Sequence, residues 1–141
     1  MKLDVECIRD ILLETESFEM GCYAIDSYQK QVQAHGEDAV VYTIAKLHEA
    51  GYVEADIGMD EGGFYHLTCV YCMRYSGHQL LDRIRDEKHW SVTKKILAAV
   101  KDYSLSAISS VSEGVTAAAI NAALEKLAPT GFPIISDEIR L

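Results

Sequence analysis

The sequence predicts an α+β chain that is mainly helical. Apolar residues recur at helical spacing through most of it, and one stretch rich in aromatic and β-branched residues is broken by glycines. That stretch stands between the third and fourth helical segments.

Each element has a local reason. Val5, Ile8, Ile11 and Leu12 lie on one face of a first helix, with Asp4 as its amino-terminal cap and an end near Glu16. Cys22 to Ile25 form a short strand, and Asp26 or Ser27 then opens a polar second helix ending near His35 and Gly36. Val40, Val41, Ile44 and Leu47 make the apolar face of a third helix from about Glu37 to Ala50, with Gly51 placed for a left-handed stop. YVEADIGMDEGGFYHLTCVYCM reads as strand, turn and strand, with Gly58, Gly62 and Gly63 supplying the bend. Ser76 and Gln79 have capping-box spacing, which starts a fourth helix at Gly77. The charged run RDEKHW then leads to a fifth helix from about Ser91 to Lys101. A serine-rich separator, SLSAISSVSEG, precedes a last helix from about Val115 to Leu127, and Pro129 and Pro133 prevent its continuation.

Helix, short strand, helix, helix, hairpin, helix is the order of a winged helix-turn-helix domain. The third helix stands where a groove-reading helix would stand, and GMDEGG forms the wing. The expected organisation is a winged-helix domain over residues 1–90 and a carboxy-terminal helical extension and tail over 91–141. Three segments, MKLDVECIRDILLETE, YTIAKLHEAGYVEA and GHQLLDRIRDEKHW, carry a more specific likeness. Together they resemble a family of small bacterial and prophage winged-helix proteins catalogued as a domain of unknown function. The most specific part is Gly77, His78, Leu81, Asp82, Arg85, Asp86 and Trp90, while Thr43 stands where the family usually has histidine. The resemblance implies a fold and a setting and transfers no catalytic residue.

Charge is unevenly placed along the chain. Residues 1–66 hold four basic residues against fourteen acidic ones, whereas residues 67–102 hold seven against four. The first half is therefore an acidic body whose field opposes a polyanion. No apolar run reaches the roughly 18 residues of a membrane span, and the basic start and apolar block of a signal peptide are missing, so a cytoplasmic protein is expected.

The tempting chemistry is in HLTCVYCMRYSGH, where Cys69 and Cys72 have the spacing of half a zinc site. Strand alternation puts Leu67, Cys69, Tyr71 and Met73 on one face and His66, Thr68, Val70, Cys72 and Arg74 on the other, so the two sulfurs diverge. Cys7 and Cys22 supply no second pair, so the expectation is no metal, no cofactor and free thiols. His78 is expected to fix the join between hairpin and helix. No nucleophile, phosphate-loop or zinc-protease pattern is present, so no catalytic residue is assigned and no enzyme is expected.

The nucleic-acid-facing candidates on the third helix are Asp38, Tyr42 and Ala45, with Thr43 and Lys46 at the flank. One lysine among acids is a poor surface for phosphate, and the wing adds Asp56, Asp60 and Glu61. The alternative basic face is Arg83, Arg85, Lys88, Lys94 and Lys95. The expected function is that of a non-enzymatic winged-helix regulator of the DNA-associated, transcription-regulator-like class. The alternative is an acidic protein–protein interaction module that takes a basic partner, or imitates DNA, and binds no DNA. Self-association into a homodimer through residues 115–141 is expected from small alanines and from apolar residues that a domain of this size leaves uncovered. A colorimetric zinc assay on the purified chain is expected to return no bound equivalent.

Overall fold

A computed structural model describes residues 1–127. They form α1 (Val5–Glu16), a short 3-10 helix (Ile25–Tyr28), α2 (Gln29–His35), α3 (Glu37–Glu49), β1 (Val53–Met59), β2 (Tyr65–Met73), α4 (Tyr75–Ile84), α5 (Glu87–Val100) and α6 (Leu105–Leu127). The fold is α+β and mostly helical, with one two-stranded antiparallel sheet among the described residues. No described helix is long and apolar enough to cross a membrane.

α1 starts where Asp4 accepts the Glu6 amide at 2.8 Å, and its buried stripe is Cys7, Ile8, Ile11, Leu12 and Thr15. The Thr15 hydroxyl donates to the Ile11 carbonyl at 2.7 Å and lies 2.8 Å from the Tyr28 hydroxyl. Tyr28 is fully buried, and burial pushes its phenol up to about 12. The expected strand at Cys22–Ile25 shrinks to a single bridge, in which Tyr23 and Val70 exchange two 2.9 Å backbone bonds. The next residues coil into the 3-10 turn instead of extending the pairing.

α3 ends on a left-handed Gly51 at φ 83°. Tyr52 N–H reaches the Leu47 carbonyl at 2.8 Å and Gly51 N–H the His48 carbonyl at 3.0 Å, a Schellman stop that turns the chain into β1. The hairpin pairs Val53 with Met73 and Met59 with Tyr65, with register shifts that leave Tyr71 and Thr68 as extra residues on β2. These bulges correct the alternating-face expectation: Leu67, Cys69, Val70 and Met73 point inward, while Tyr71 and Cys72 are exposed. Tyr71 leaves the apolar face because it has no partner across the ladder.

Three helix boundaries also differ. α4 begins at Tyr75 and makes no use of a capping box; the Ser76 hydroxyl instead donates to the Gly51 carbonyl at 2.6 Å, joining α4 to the α3 stop. α5 begins at Glu87, because Asp86 caps it by accepting the His89 amide at 3.1 Å. The serine-rich segment is helical, since α6 starts at Leu105. Ser104 accepts the Ala107 amide, and Ser112 and Thr116 donate to carbonyls three and four residues back, so the hydroxyls do not compete with the helix.

One hydrophobic cluster runs from Cys7 and Ile8 through Val40, Ile44, Val70, Leu80 and Trp90 to Leu97 and Ile108. The expected division at residue 90 falls inside α5, and α5 and α6 supply part of this common core. Gly77 marks its tightest point: a Cβ there would overlap the Tyr52 carbonyl oxygen and sit 2.6 Å from Met73 Cγ. Gly77→Ala is therefore expected to destabilise the chain by about 2–3 kcal/mol in urea denaturation, whereas Gly58→Ala, which opens onto space, is expected to shift it by no more than about 0.5 kcal/mol.

Candidate functional site

Two surfaces bear on function. The first is where α3 meets the hairpin. Asp38 is exposed, and Tyr42 and Lys46 are half-buried. Thr43 and Ala45, at 2% and 1% exposure, are core residues. Their expected outward placement is corrected by packing: the Thr43 hydroxyl donates to the Ala39 carbonyl at 2.7 Å and to Cys7 Sγ at 3.4 Å, facing α1. The exposed arc of α3 is thus narrower than helical spacing alone implies, and it is acidic.

Lys46 ties α3 to the hairpin. Its ammonium lies 2.8 Å from Glu49 Oε2, donates to the Tyr65 hydroxyl at 3.2 Å, and sits over the rings of Tyr42 and Tyr65 at 5.4 and 5.5 Å. Its pKa is raised, first by the bond to Glu49 and then by the bond to Tyr65. Beside it opens a cleft of about 600 Å³ between the start of α3 and the hairpin tip. Glu37 and Asp38 stand on the helix side, Phe64, Tyr65 and His66 on the hairpin side, with Val41, Tyr42 and Leu67 also lining it.

The second surface is the basic face of α4 and α5, which is largely neutralised. Arg85 makes two bonds to the Glu16 carboxylate and one of 3.0 Å to Asp82. Lys94 Nζ lies 2.6 Å from Glu6, and Arg83 lies 3.6 Å from Glu113. Of the five candidates, Lys88 and Lys95 have no ion pair among the described residues. A salt-bridged face is legible in the alternation of these cations with Asp82, Asp86 and Glu87, but the pairs to Glu6, Glu16 and Glu113 are not, because those acids sit on α1 and α6. The signal was present in principle, since Glu6 and Glu16 lie outside the apolar stripe of α1.

Cys69 is buried and Cys72 exposed, so the two sulfurs do not converge on one ion. The Tyr23–Val70 bridge instead brings exposed Cys22 beside Cys69, a pairing that sequence spacing did not suggest. The Cys22 thiol is pushed up, chiefly by its hydrogen bond with Cys69, which disfavours a reactive thiolate. His78 is exposed in the first turn of α4.

Apart from exposed His78, the most specific sequence run is structural. Gly77 admits the Tyr52 carbonyl, Leu81 is buried, Asp82 and Arg85 form the network to Glu16, Asp86 caps α5, and Trp90 fills the core. A protein-family model described as Hypothetical protein (DUF2513) matches residues 2–106, more than half of the chain. The chain belongs to this family. It is also 29% identical, over 119 residues, to a Haemophilus influenzae protein described as uncharacterized, an alignment covering 82% of this chain and 95% of the relative. No solved structure matches it. The family match spans α1 to the first residues of α6, and so contains the cleft lining apart from Met1 and the α1–α4–α5 ion pairs.

The Glu16–Arg85 pair gives a pH signature. The bond from Arg85 holds the Glu16 carboxyl below its ordinary value. Its contribution to stability is therefore full above the ordinary carboxylate range and is lost as pH falls through the lowered folded value. Glu16→Gln is expected to lower the melting temperature at about pH 7, with the difference from the parent closing toward about pH 3; thermal melts by circular dichroism across that range check this, and a pH-independent offset would contradict it.

Proposed function

We propose that this chain is a non-enzymatic regulatory protein of winged helix-turn-helix type that works by binding a basic protein partner. The single observation that carries this reading is the charge of the two candidate surfaces. The exposed arc of α3 and the hairpin tip present Glu37, Asp38, Asp60 and Glu61, while most of the cationic α4–α5 face is paired with carboxylates. A surface of this sign repels phosphate and attracts lysine- and arginine-rich protein. In this reading α3 takes the place of the recognition helix and the β1–β2 hairpin that of the wing. A cytoplasmic, prophage-type setting belongs to the same proposal, and the four free thiols accord with a reducing compartment.

DNA association is the second reading. It is favoured by the element order and by Lys88 and Lys95, exposed on α5 without an ion pair among the described residues. Fluorescence anisotropy with random duplex DNA at about 20 mM and about 200 mM salt separates the two. No saturation at the lower salt is the expected result, and tight binding that falls steeply with salt would transfer the proposal to the second reading.

The proposal includes self-association through α6. Residues 128–141 of the expected dimer segment lie outside the described residues. Within α6, Ile120 and Leu124 are about half exposed, and Gly114, Ala118 and Ala119 line a shallow apolar groove against Val92 and Ile96 of α5. Small residues beside larger ones on one helix can interlock across a two-fold axis. Light scattering is expected to give a dimer mass for the parent chain and a monomer mass for the Ile120→Glu, Leu124→Glu double variant; equal masses would remove this part of the proposal.

A further inference from the structure

We propose that the cleft between the start of α3 and the hairpin tip is a binding site for an arginine side chain carried by a basic segment of a partner protein. The inference rests on the reading that the chain works by binding a basic protein, and adds to it the place and the residue recognised.

Phe64 is the first reason. It is 71% exposed at the tip of the hairpin, where a large aromatic packs little against the described residues. The backbone that carries it is nevertheless held, because the Asp60 carboxylate accepts the amides of Gly62 and Phe64 at 2.9 Å each and Gly63 takes a φ of 82°. The fold therefore presents this ring rather than leaving it on a loose loop.

The rest of the lining has a matching chemistry. Tyr42 and Tyr65 meet edge to face at 6.1 Å, and Lys46 already rests its ammonium over both rings. These rings therefore suit a cation, and Lys46 already takes one face of each. Lys46 itself stands outside the lining and is held by Glu49, so it leaves the cleft open. Glu37 and Asp38 are exposed on the helix side and have no ion pair among the described residues. Their charge suits the positive end of α3, but among the described residues no cation pairs with either one.

Aromatic faces beside carboxylates select against anions. Among cations they favour the guanidinium, which is planar, weakly hydrated, stacks on rings and offers paired donors to a carboxylate. A lysine ammonium loses more hydration on entering and cannot stack. The volume of about 600 Å³ lies within the ordinary range of ligand sites and admits the side chain with part of its backbone.

Isothermal titration calorimetry of the full chain tests this, using a short peptide of alternating arginine and glycine and its lysine counterpart of equal charge. Saturable binding of the arginine peptide is expected, with the lysine peptide at least about threefold weaker. Phe64→Ala and Asp38→Asn are each expected to weaken arginine-peptide binding by at least about threefold. Both residues are exposed, so the variants keep the fold, which circular dichroism confirms. Phe64→Ala leaves the charge unchanged, and general attraction between an acidic body and a basic peptide would survive it. No saturable binding, equal affinity for the two peptides, or undiminished binding in Phe64→Ala each overturns the inference. Binding that persists in both variants leaves the protein-binding reading standing without this cleft, whereas salt-sensitive DNA binding in the anisotropy titration ends that reading itself.

Discussion

Everything else in the fold depends on how α1 is locked to the turn between α4 and α5. The Arg9 guanidinium donates to the Ile84 carbonyl at 2.9 Å and the Arg85 carbonyl at 2.8 Å, satisfying acceptors that the end of α4 leaves without helical partners. Trp90 is buried beside it, with its indole N–H directed at the Glu6 carboxylate and the Arg9 guanidinium 5.8 Å from its ring. A large side chain with one donor needs such a partner when it is buried. Glu6 supplies it while also pairing with Lys94, so one carboxylate holds a core tryptophan and a surface lysine. With α1 fixed in this way, its apolar stripe packs with α3, the hairpin and α4.

That joint also shapes the functional reading. Cations that look available along α4 and α5 are partly drawn into the α1 contact, where Arg85 and Lys94 meet Glu16 and Glu6. These pairs are partly exposed, so each adds little to stability. Their larger consequence is for the surface, because they remove positive charge from the face that could have met DNA. The acids of α3 and the hairpin tip have fewer cations near them, and the chain shows its negative charge where its aromatic cleft opens. Within the run from Gly77 to Trp90, Gly77, Leu81, Asp82, Arg85, Asp86 and Trp90 are all engaged in holding the structure.

Legibility followed distance along the chain. The Asp4 cap, the stop at Gly51 and the glycine turn at residues 62–63 could be read in place, since each involves groups only a few residues apart. The early start of α5 was legible in the same way from Asp86, but the density of charge obscured it. The helical state of the serine segment was not, because Ile108 and Ser112 become good helical residues only when buried against the rest of the core. Nor were the bulges at Thr68 and Tyr71, which arise from the ladder with β1 and reverse which side chains face inward.

By itself, the sequence determined the order of the helices and the hairpin and the acidity of the first half, because periodicity, caps and composition are local or additive properties. The tertiary structure alone decided which charges remain free and which side chains of α3 can be touched. Arg85 finds Glu16 across 69 residues and Lys94 finds Glu6 across 88, while Thr43 turns from candidate contact to core once α1 covers it. Pairing and burial at such separations follow from how helices pack, and no local pattern encodes them.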